Sequence, residues 1–322
     1  MSMSIQRSEP LADAQAAVDP FGRQTSSLRI SVTQRCDLRC PHCHREGQKA
    51  STKEMTPAEI ARIVSSASSL GVRKVKITGG EPLMREDIVE IVSKIAPMVR
   101  EVSMTTNGVR LSEFASSLKK AGLARVNVSL HTLDSTVYGR LCGTDTHDAV
   151  KRGIREAIDS GLDPVKVNMV VFRGENDSEI ESMAEFCGGV GAILQLIEYE
   201  SDRRGMRGSE FSAKFFPLTA VEKDLAERAT DTSVNELHRR RRYVVPVNGH
   251  SVTVEVVRPM HNTEFCANCT RIRLSSDGLL KPCLLDPAGE VDVLGPIRNG
   301  ASDRELKGLF LEAVSNRRPY WS

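Results

Sequence analysis

Between residue 28 and about residue 196 the chain alternates short β-branched apolar runs with longer stretches whose apolar positions recur at helical spacing. The runs lie at 28–33, 75–78, 102–105, 126–130, 165–171 and 193–197, and none contains proline. Such runs suit strands buried in a parallel sheet. Between them, Thr56-Pro57-Ala58-Glu59 opens a helix with an N-cap hydroxyl, a proline at the first helical position and an acid at the third. Ile60, Ile63, Val64, Ala67 and Leu70 form its apolar stripe, and Gly71 ends it. The stretches 85–98, 112–122, 148–161 and 178–188 follow the same plan, and the last three close on glycine. Serial βα units joined by right-handed crossovers give a parallel sheet with helices outside. Six units fall short of the eight that close a barrel. The expected fold is therefore α/β, an incomplete (β/α)6 barrel. Chemistry in such folds gathers at the carboxyl ends of the strands. There the chain carries a cysteine loop after the first run, Gly79-Gly80-Glu81-Pro82 after the second and Thr106-Asn107-Gly108 after the third.

Beyond about residue 201 the pattern changes. Residues 201–216 are rich in Arg, Gly and Ser and read as a loop, 218–229 and 302–314 read as helices, and 251–258, 271–275 and 279–282 read as short strands. This predicts three parts: a flexible tail over 1–20, a partial barrel over 21–200, and a small α+β extension over 201–322. The run His238 to Arg242, one histidine and four arginines, reads as a solvated loop; an anion funnel or a partner surface are the sharper alternatives. No aromatic residues interleave with it, so it does not suit base stacking on single-stranded nucleic acid.

Composition adds bounds. The chain has 322 residues, is 40% hydrophobic and carries a net charge of +2, values that suit a globular protein and argue against collagen and long disorder. That charge is too small to imply nucleic-acid or membrane binding. No apolar stretch is long enough to span a bilayer, and no signal-type apolar run follows Arg7, so the expected location is the cytoplasm, where thiols stay reduced.

Reduced thiols matter because the eight cysteines fall into two trios and two isolated residues. Cys142 and Cys187 read as small buried residues. Cys36, Cys40 and Cys43 have C-x3-C-x2-C spacing. Cys266, Cys269 and Cys283 have C-x2-C-x13-C spacing. A [4Fe–4S] cube normally takes four thiolates, so three leave one iron open. Zinc would instead want a fourth ligand, which His42 or His44 could supply in the first loop and His261 in the second. Arg271 and Arg273 alternate along a predicted strand after the second CxxC and so share a face, a site for an anion.

The first loop together with Gly79-Gly80-Glu81-Pro82 resembles the radical S-adenosylmethionine (SAM) superfamily. The pattern around Cys266, Arg271, Arg273 and Cys283, with Phe21-Gly22-Arg23 and residues 28–36 near the start, narrows the resemblance to the GTP 3′,8-cyclase family of molybdenum cofactor biosynthesis, and the Cys43-to-Gly47 loop resembles its archaeal branch. The resemblance implies that Cys36, Cys40 and Cys43 hold the SAM cluster, and that Cys266, Cys269 and Cys283 hold an auxiliary [4Fe–4S] cluster in the C-terminal extension. It implies that His42, Gly80, Ser129 and Glu200 face SAM, that Arg29, Lys76, Thr105, Lys166, Arg271 and Arg273 contact GTP, and that Arg271 and Arg273 are the catalytic pair. The implied chemistry cleaves SAM to a 5′-deoxyadenosyl radical, removes the 3′ hydrogen of GTP and joins C3′ to C8 of guanine. Implied partners are an electron donor of ferredoxin or flavodoxin type and the next enzyme, cyclic pyranopterin monophosphate synthase; a homodimer is compatible. Two departures stand out. Glu200 occupies the place of a SAM-contacting methionine, and the chain ends Arg317-Arg318-Pro319-Tyr320-Trp321-Ser322 where many bacterial members end in Gly-Gly, which makes Arg317 or Arg318 the expected substitute. Two other readings are a different radical SAM enzyme with an auxiliary cluster, such as a peptide-modifying one, and a non-enzymatic zinc protein.

Overall fold

The structure, a computed structural model, describes residues 16–235 and 239–321. His238 lies outside them. Six strands, β1 (Ser27–Ser31), β2 (Lys74–Thr78), β3 (Glu101–Thr106), β4 (Arg125–Ser129), β5 (Val165–Val171) and β6 (Ile193–Glu198), run parallel side by side in sequence order. Six helices accompany them: α1 (Pro57–Ser69), α2 (Ile88–Ile95), α3 (Leu111–Lys120), α4 (Ser135–Cys142), α5 (His147–Asp159) and α6 (Ile180–Val190). The capping box that opens α1 is formed, with Thr56 and Glu59 each bonding the other's backbone N–H.

The C-terminal region adds strands to both edges. β7 (Asp231–Asn235), β8 (Arg240–Val247) and β9 (His250–Val257) form an antiparallel ribbon, and β9 pairs parallel with β6. β10 (Arg271–Leu274) pairs parallel with β1 and continues antiparallel into β11 (Leu279–Lys281) and β12 (Val291–Asp292). The parallel run is therefore β10-β1-β2-β3-β4-β5-β6-β9. The six expected strands are present, flanked by two from the extension. β7 and β12 terminate the sheet without pairing with each other among the described residues, so the barrel is incomplete.

One face of the strands is almost wholly apolar, and the polar side chains are gathered on the other. Leu28, Ile30, Val75, Ile77, Val102, Met104, Leu194 and Leu196 are fully or almost fully buried. Between them stand Arg29, Lys76, Ser103, Thr105 and Gln195. The apolar face packs under the helices, while the polar face turns inward. Two observations establish the curl. β10 and β8 stand eight places apart in the sheet, about 38 Å if it were flat. Yet the charge of Arg240 on β8 bears on both Lys76 and Arg271, which lie on β2 and β10. The polar face is therefore the interior of the partial barrel.

Several boundaries differ from expectation. The stretch 85–98 splits into α2 and a 3-10 turn, Ala96–Met98, because Pro97 cannot extend the helix. α6 runs through Gly188 and ends on left-handed Gly191, φ 79°. Gly188 serves packing, since a Cβ there would lie 2.5 Å from Val252 Cγ2. α4, capped by Asp134, was not foreseen. Nor were β7 and β8, and the latter places Arg240 to Arg242 in a strand and not in a solvated loop.

Candidate functional site

Strand direction fixes the two cysteine trios at opposite ends of the barrel. Cys36, Cys40 and Cys43 follow β1 and so lie at the carboxyl ends of the parallel strands. Cys266 and Cys269 precede β10, which is parallel to β1 and neighbours it, so they lie at the amino ends. Cys283 follows β11, which is antiparallel to β10 and brings it back to that same end.

The first loop is built on backbone contacts. Gly80 N–H donates to Thr33 O at 2.7 Å, and Glu81 N–H donates to Arg35 O at 2.7 Å. A Cβ on Gly80 would lie 2.3 Å from Arg35 O, so this glycine is required by the cysteine loop itself. Buried Glu81 accepts from Leu83 N, Thr106 Oγ1 and Asn107 N, while Asn107 Nδ2 donates to Asp37 at 2.6 Å. One carboxylate thus ties the ends of β2 and β3 to the loop. Cys36 and Cys43 each accept a backbone N–H at 3.4 Å, from Leu38 and Arg45. Cys142 is buried behind the loop, its carbonyl accepting from Arg39 N, and Cys187 is buried on the inner side of α6.

His42 packs its ring against His131 and Phe172, with centroids 4.9 and 5.0 Å away. His131 Nδ1 accepts from Val170 N–H, so its other nitrogen carries the proton and donates to His42 Nε2 at 3.3 Å. Burial lowers the pKa of His131 to about 4, keeping the pair neutral. Ser129 ends β4, beside Asn168 on β5. Glu200 stands just beyond β6, partly exposed.

Within the barrel the carried-over cations meet. Arg29 is in register with Arg273 on one side and Lys76 on the other. Lys76 Nζ donates to Asn127 Oδ1 at 2.9 Å, and Asn127 Nδ2 donates to Asn168 Oδ1 at 3.1 Å. Thr105 is in register with Asn127, and Asn127 with Lys166. Lys166 contacts the fully buried Glu255, which also pairs with Arg240 at 2.9 Å and Arg242 at 3.5 Å. Glu46 sits 3.2 Å from Arg29 and accepts from Thr78 Oγ1 at 2.8 Å. Burial pushes the Lys76 pKa well down, with Arg125, Arg29, Arg271 and Arg240 adding repulsion. The same two causes, burial and neighbouring Arg29 and Arg273, depress Arg271. A bound anion would relieve both. The Nε atoms of Arg271 and Arg273 are buried without a hydrogen-bond partner among the described residues, while that of Arg29 faces Glu46 Oε1 at 3.2 Å.

The second trio is held by cations. Arg23 donates to Cys266 O at 3.0 Å, and Arg317 donates to Cys269 O. Burial pushes the Cys269 thiol up, but Arg273, Arg317 and Arg271 outweigh it and lower its pKa. Cationic surroundings favour the thiolate that metal binding needs. Trp321 N–H donates to Cys266 Sγ at 3.4 Å, and its ring packs 4.6 Å from His261. Among the described residues no three His, Cys, Asp or Glu side chains converge as around a single ion. Each end presents three free thiols, the donor set of a [4Fe–4S] cube with one iron left open.

Comparison with known proteins then decides the family. Residues 30–187 match the radical SAM superfamily model, and 192–322 match the model described as Molybdenum Cofactor Synthesis C. The chain is 53% identical over 304 residues to a probable GTP 3′,8-cyclase of Thermococcus kodakarensis, covering 94% of this chain and 99% of that one. It is 52% identical to the probable GTP 3′,8-cyclase of Pyrococcus abyssi, covering 95% and 99%. The chain belongs to the GTP 3′,8-cyclase family. The archaeal sources agree with the resemblance of the Cys43-to-Gly47 loop. Among solved structures, SuiB of Streptococcus suis bound to its precursor peptide aligns with a TM-score of 0.61 at 17% identity, covering 94% of this chain and 67% of that one. Native anSMEcpe with bound AdoMet aligns at 0.56 and 16% identity, covering 81% and 75%. At these identities the likeness shows the radical SAM fold alone.

For this cyclase-family chain, the site contains residues that the motifs did not mark. Asn127, Asn168, Gln195, Glu255, Arg240 and Arg242 share the inward face, and period-two alternation within each strand is the signal that finds them. His131 has no such signal. Arg317 is buried beside the second trio, bonded to Thr25, Asp19 and Cys269 O, and its Nε has no hydrogen-bond partner among the described residues. Arg318 is exposed.

Proposed function

We propose that this chain is a radical SAM enzyme that converts GTP to 3′,8-cyclo-7,8-dihydro-GTP, the first step toward the molybdenum cofactor. The supporting observation is the placement of two thiol trios at opposite ends of one barrel whose interior carries cations. A substrate reached from both ends must lie along that interior, and a triphosphate of charge about −4 matches its charge.

Cys36, Cys40 and Cys43 hold one cluster, and Cys266, Cys269 and Cys283 hold the other. When bound, the first cluster with SAM supplies one-electron radical chemistry. The chain's own residues bind, orient and shield. Arg271 and Arg273, one residue pair beyond Cys269, hold the end of the substrate beside the second trio. Arg29, Lys76, Thr105 and Lys166 hold the rest, so that C3′ faces the first trio. His42, Gly80, Ser129 and Glu200 surround SAM, with His42 offering a neutral ring to a flat base. Fixing both reactants in a buried interior lowers the entropic cost of reaction and excludes water from a reactive radical. The same reading implies a ferredoxin- or flavodoxin-type donor, cyclic pyranopterin monophosphate synthase as the next enzyme, and a cytoplasmic location. No helix among the described residues is long and apolar enough to cross a membrane.

The test is an anaerobic assay with GTP, SAM and reductant on protein carrying about eight irons per chain. Formation of 5′-deoxyadenosine that requires GTP supports the reading. Equal SAM cleavage without GTP, or stoichiometric zinc in place of iron, would sink it.

A further inference from the structure

Cys142, one of the two cysteines outside the trios, ends α4 at the back of the first cysteine loop. Two backbone contacts hold it there. Arg39 N–H donates to Cys142 O at 3.0 Å. Gly143, which caps α4 in the left-handed conformation at φ 76°, passes so close that a Cβ on it would lie 3.3 Å from Arg39 Cβ. The buried Cys142 thiol is hydrogen-bonded to the thiol of Cys40, a member of the first trio. On its other side it is hydrogen-bonded to Tyr138, one helical turn earlier and wholly buried. Tyr138 OH meets Thr146 Oγ1 at 3.2 Å, and Thr146 Oγ1 meets Thr144 Oγ1 at 3.0 Å. A chain of hydroxyls and one thiol therefore crosses the core and stops on a cysteine of the trio. Cys187 is equally buried, but its thiol has no hydrogen bond among the described residues. Burial alone thus accounts for Cys187 and not for Cys142.

Metal binding requires Cys40 as the thiolate, which can only accept a hydrogen bond. That sets the direction of the chain: Cys142 S–H donates to Cys40 Sγ, and Tyr138 O–H donates to Cys142 Sγ. Each bond polarises the next toward the trio. We propose that Cys142, backed by Tyr138, is a positioning residue for the first cluster, donating to its Cys40 sulfur and raising its reduction potential. Reduction adds negative charge to a cluster, and a donor at its sulfur stabilises the added charge. The inference rests on the reading of the first trio as a cluster site and is independent of the substrate.

The experiment is a redox titration of the anaerobically reconstituted holoprotein without GTP, followed by electron paramagnetic resonance. Addition of SAM identifies the signal of the first cluster. Cys142→Ala should lower the midpoint potential of that cluster alone, leaving it about 5-fold less reduced at a fixed solution potential. Cys142→Ser, whose hydroxyl still donates, should recover most of the loss. Tyr138→Phe should shift the potential the same way by less, and Cys187→Ala should leave both clusters at their wild-type potentials. Iron content and thermal melting accompany each variant. If Cys142→Ala loses the first cluster, Tyr138→Phe carries the test with every thiol in place. The inference is overturned by no shift in an iron-replete Cys142→Ala, or in Tyr138→Phe where that variant carries the test. Equal shifts at both clusters, or a shift in Cys142→Ser as large as in Cys142→Ala, overturn it as well. Failure of the cluster reading would look different: wild type itself would hold no iron at the first trio and give no SAM-sensitive signal.

Discussion

Lys166 carries its ammonium almost wholly out of solvent, against a carboxylate that is itself fully buried. Burial lowers its pKa to about 8, with Glu255 acting in the opposite direction and Arg240 and Arg242 adding to the depression. The charged form is the one that attracts phosphate, so the contact is present below this value and is lost as pH rises through it. GTP binding should therefore weaken about 10-fold between about pH 7 and about pH 9. Lys166→Arg should remove that inflection, because the guanidinium stays charged. An inflection that persists in the variant would place the titrating group elsewhere. The sequence alone marked Lys166 as a cation in a strand. Its pKa depends on Glu255, a residue 89 positions away that only tertiary contact brings beside it.

At the scale of elements, two glycines separate local from tertiary causes. Gly80 is pressed against the backbone carbonyls of Gln34 and Arg35, and neither can yield. Gly80→Ala should displace the first cysteine loop, halving iron per chain while the second cluster remains. Gly188 lies inside α6 against Val252 and His250. Gly188→Ala should cost about 1–3 kcal/mol of stability through overpacking, with iron content unchanged. Iron analysis and thermal melting on both variants check the pair, and loss of iron in Gly188→Ala would contradict this division. The glycine pair after β2 was legible as a turn of close backbone approach because it follows a strand beside a cysteine loop. Gly188 was misread as a helix terminator because nothing local distinguishes a packing glycine from a capping one.

Over the whole molecule, the last described residues link the loop after β6 to the second trio. Arg203 donates from its backbone to Tyr320 OH at 2.8 Å and from its guanidinium to Tyr320 O at 2.6 Å. The guanidinium also lies over the rings of Tyr320 and Trp321. Trp321 then bonds Cys266 Sγ. Hydrogen bonds to cluster sulfurs and burial set reduction potential. A chain ending at Pro319 should show a lower midpoint potential and faster air loss for the second cluster alone, as followed by electron paramagnetic resonance; equal change at both clusters would count against this role. The sequence by itself determined the serial βα units, the two trios and the cations on their strands, because hydrophobic period and motif spacing are local. Only the tertiary structure decided that β9 and β10 join opposite edges of the sheet, which sets the trios at its two ends. It alone turned half of an apparently solvated arginine run into the barrel interior. Strand pairing across more than 200 positions leaves no trace in the local pattern, since any strand of suitable alternation can occupy an open edge.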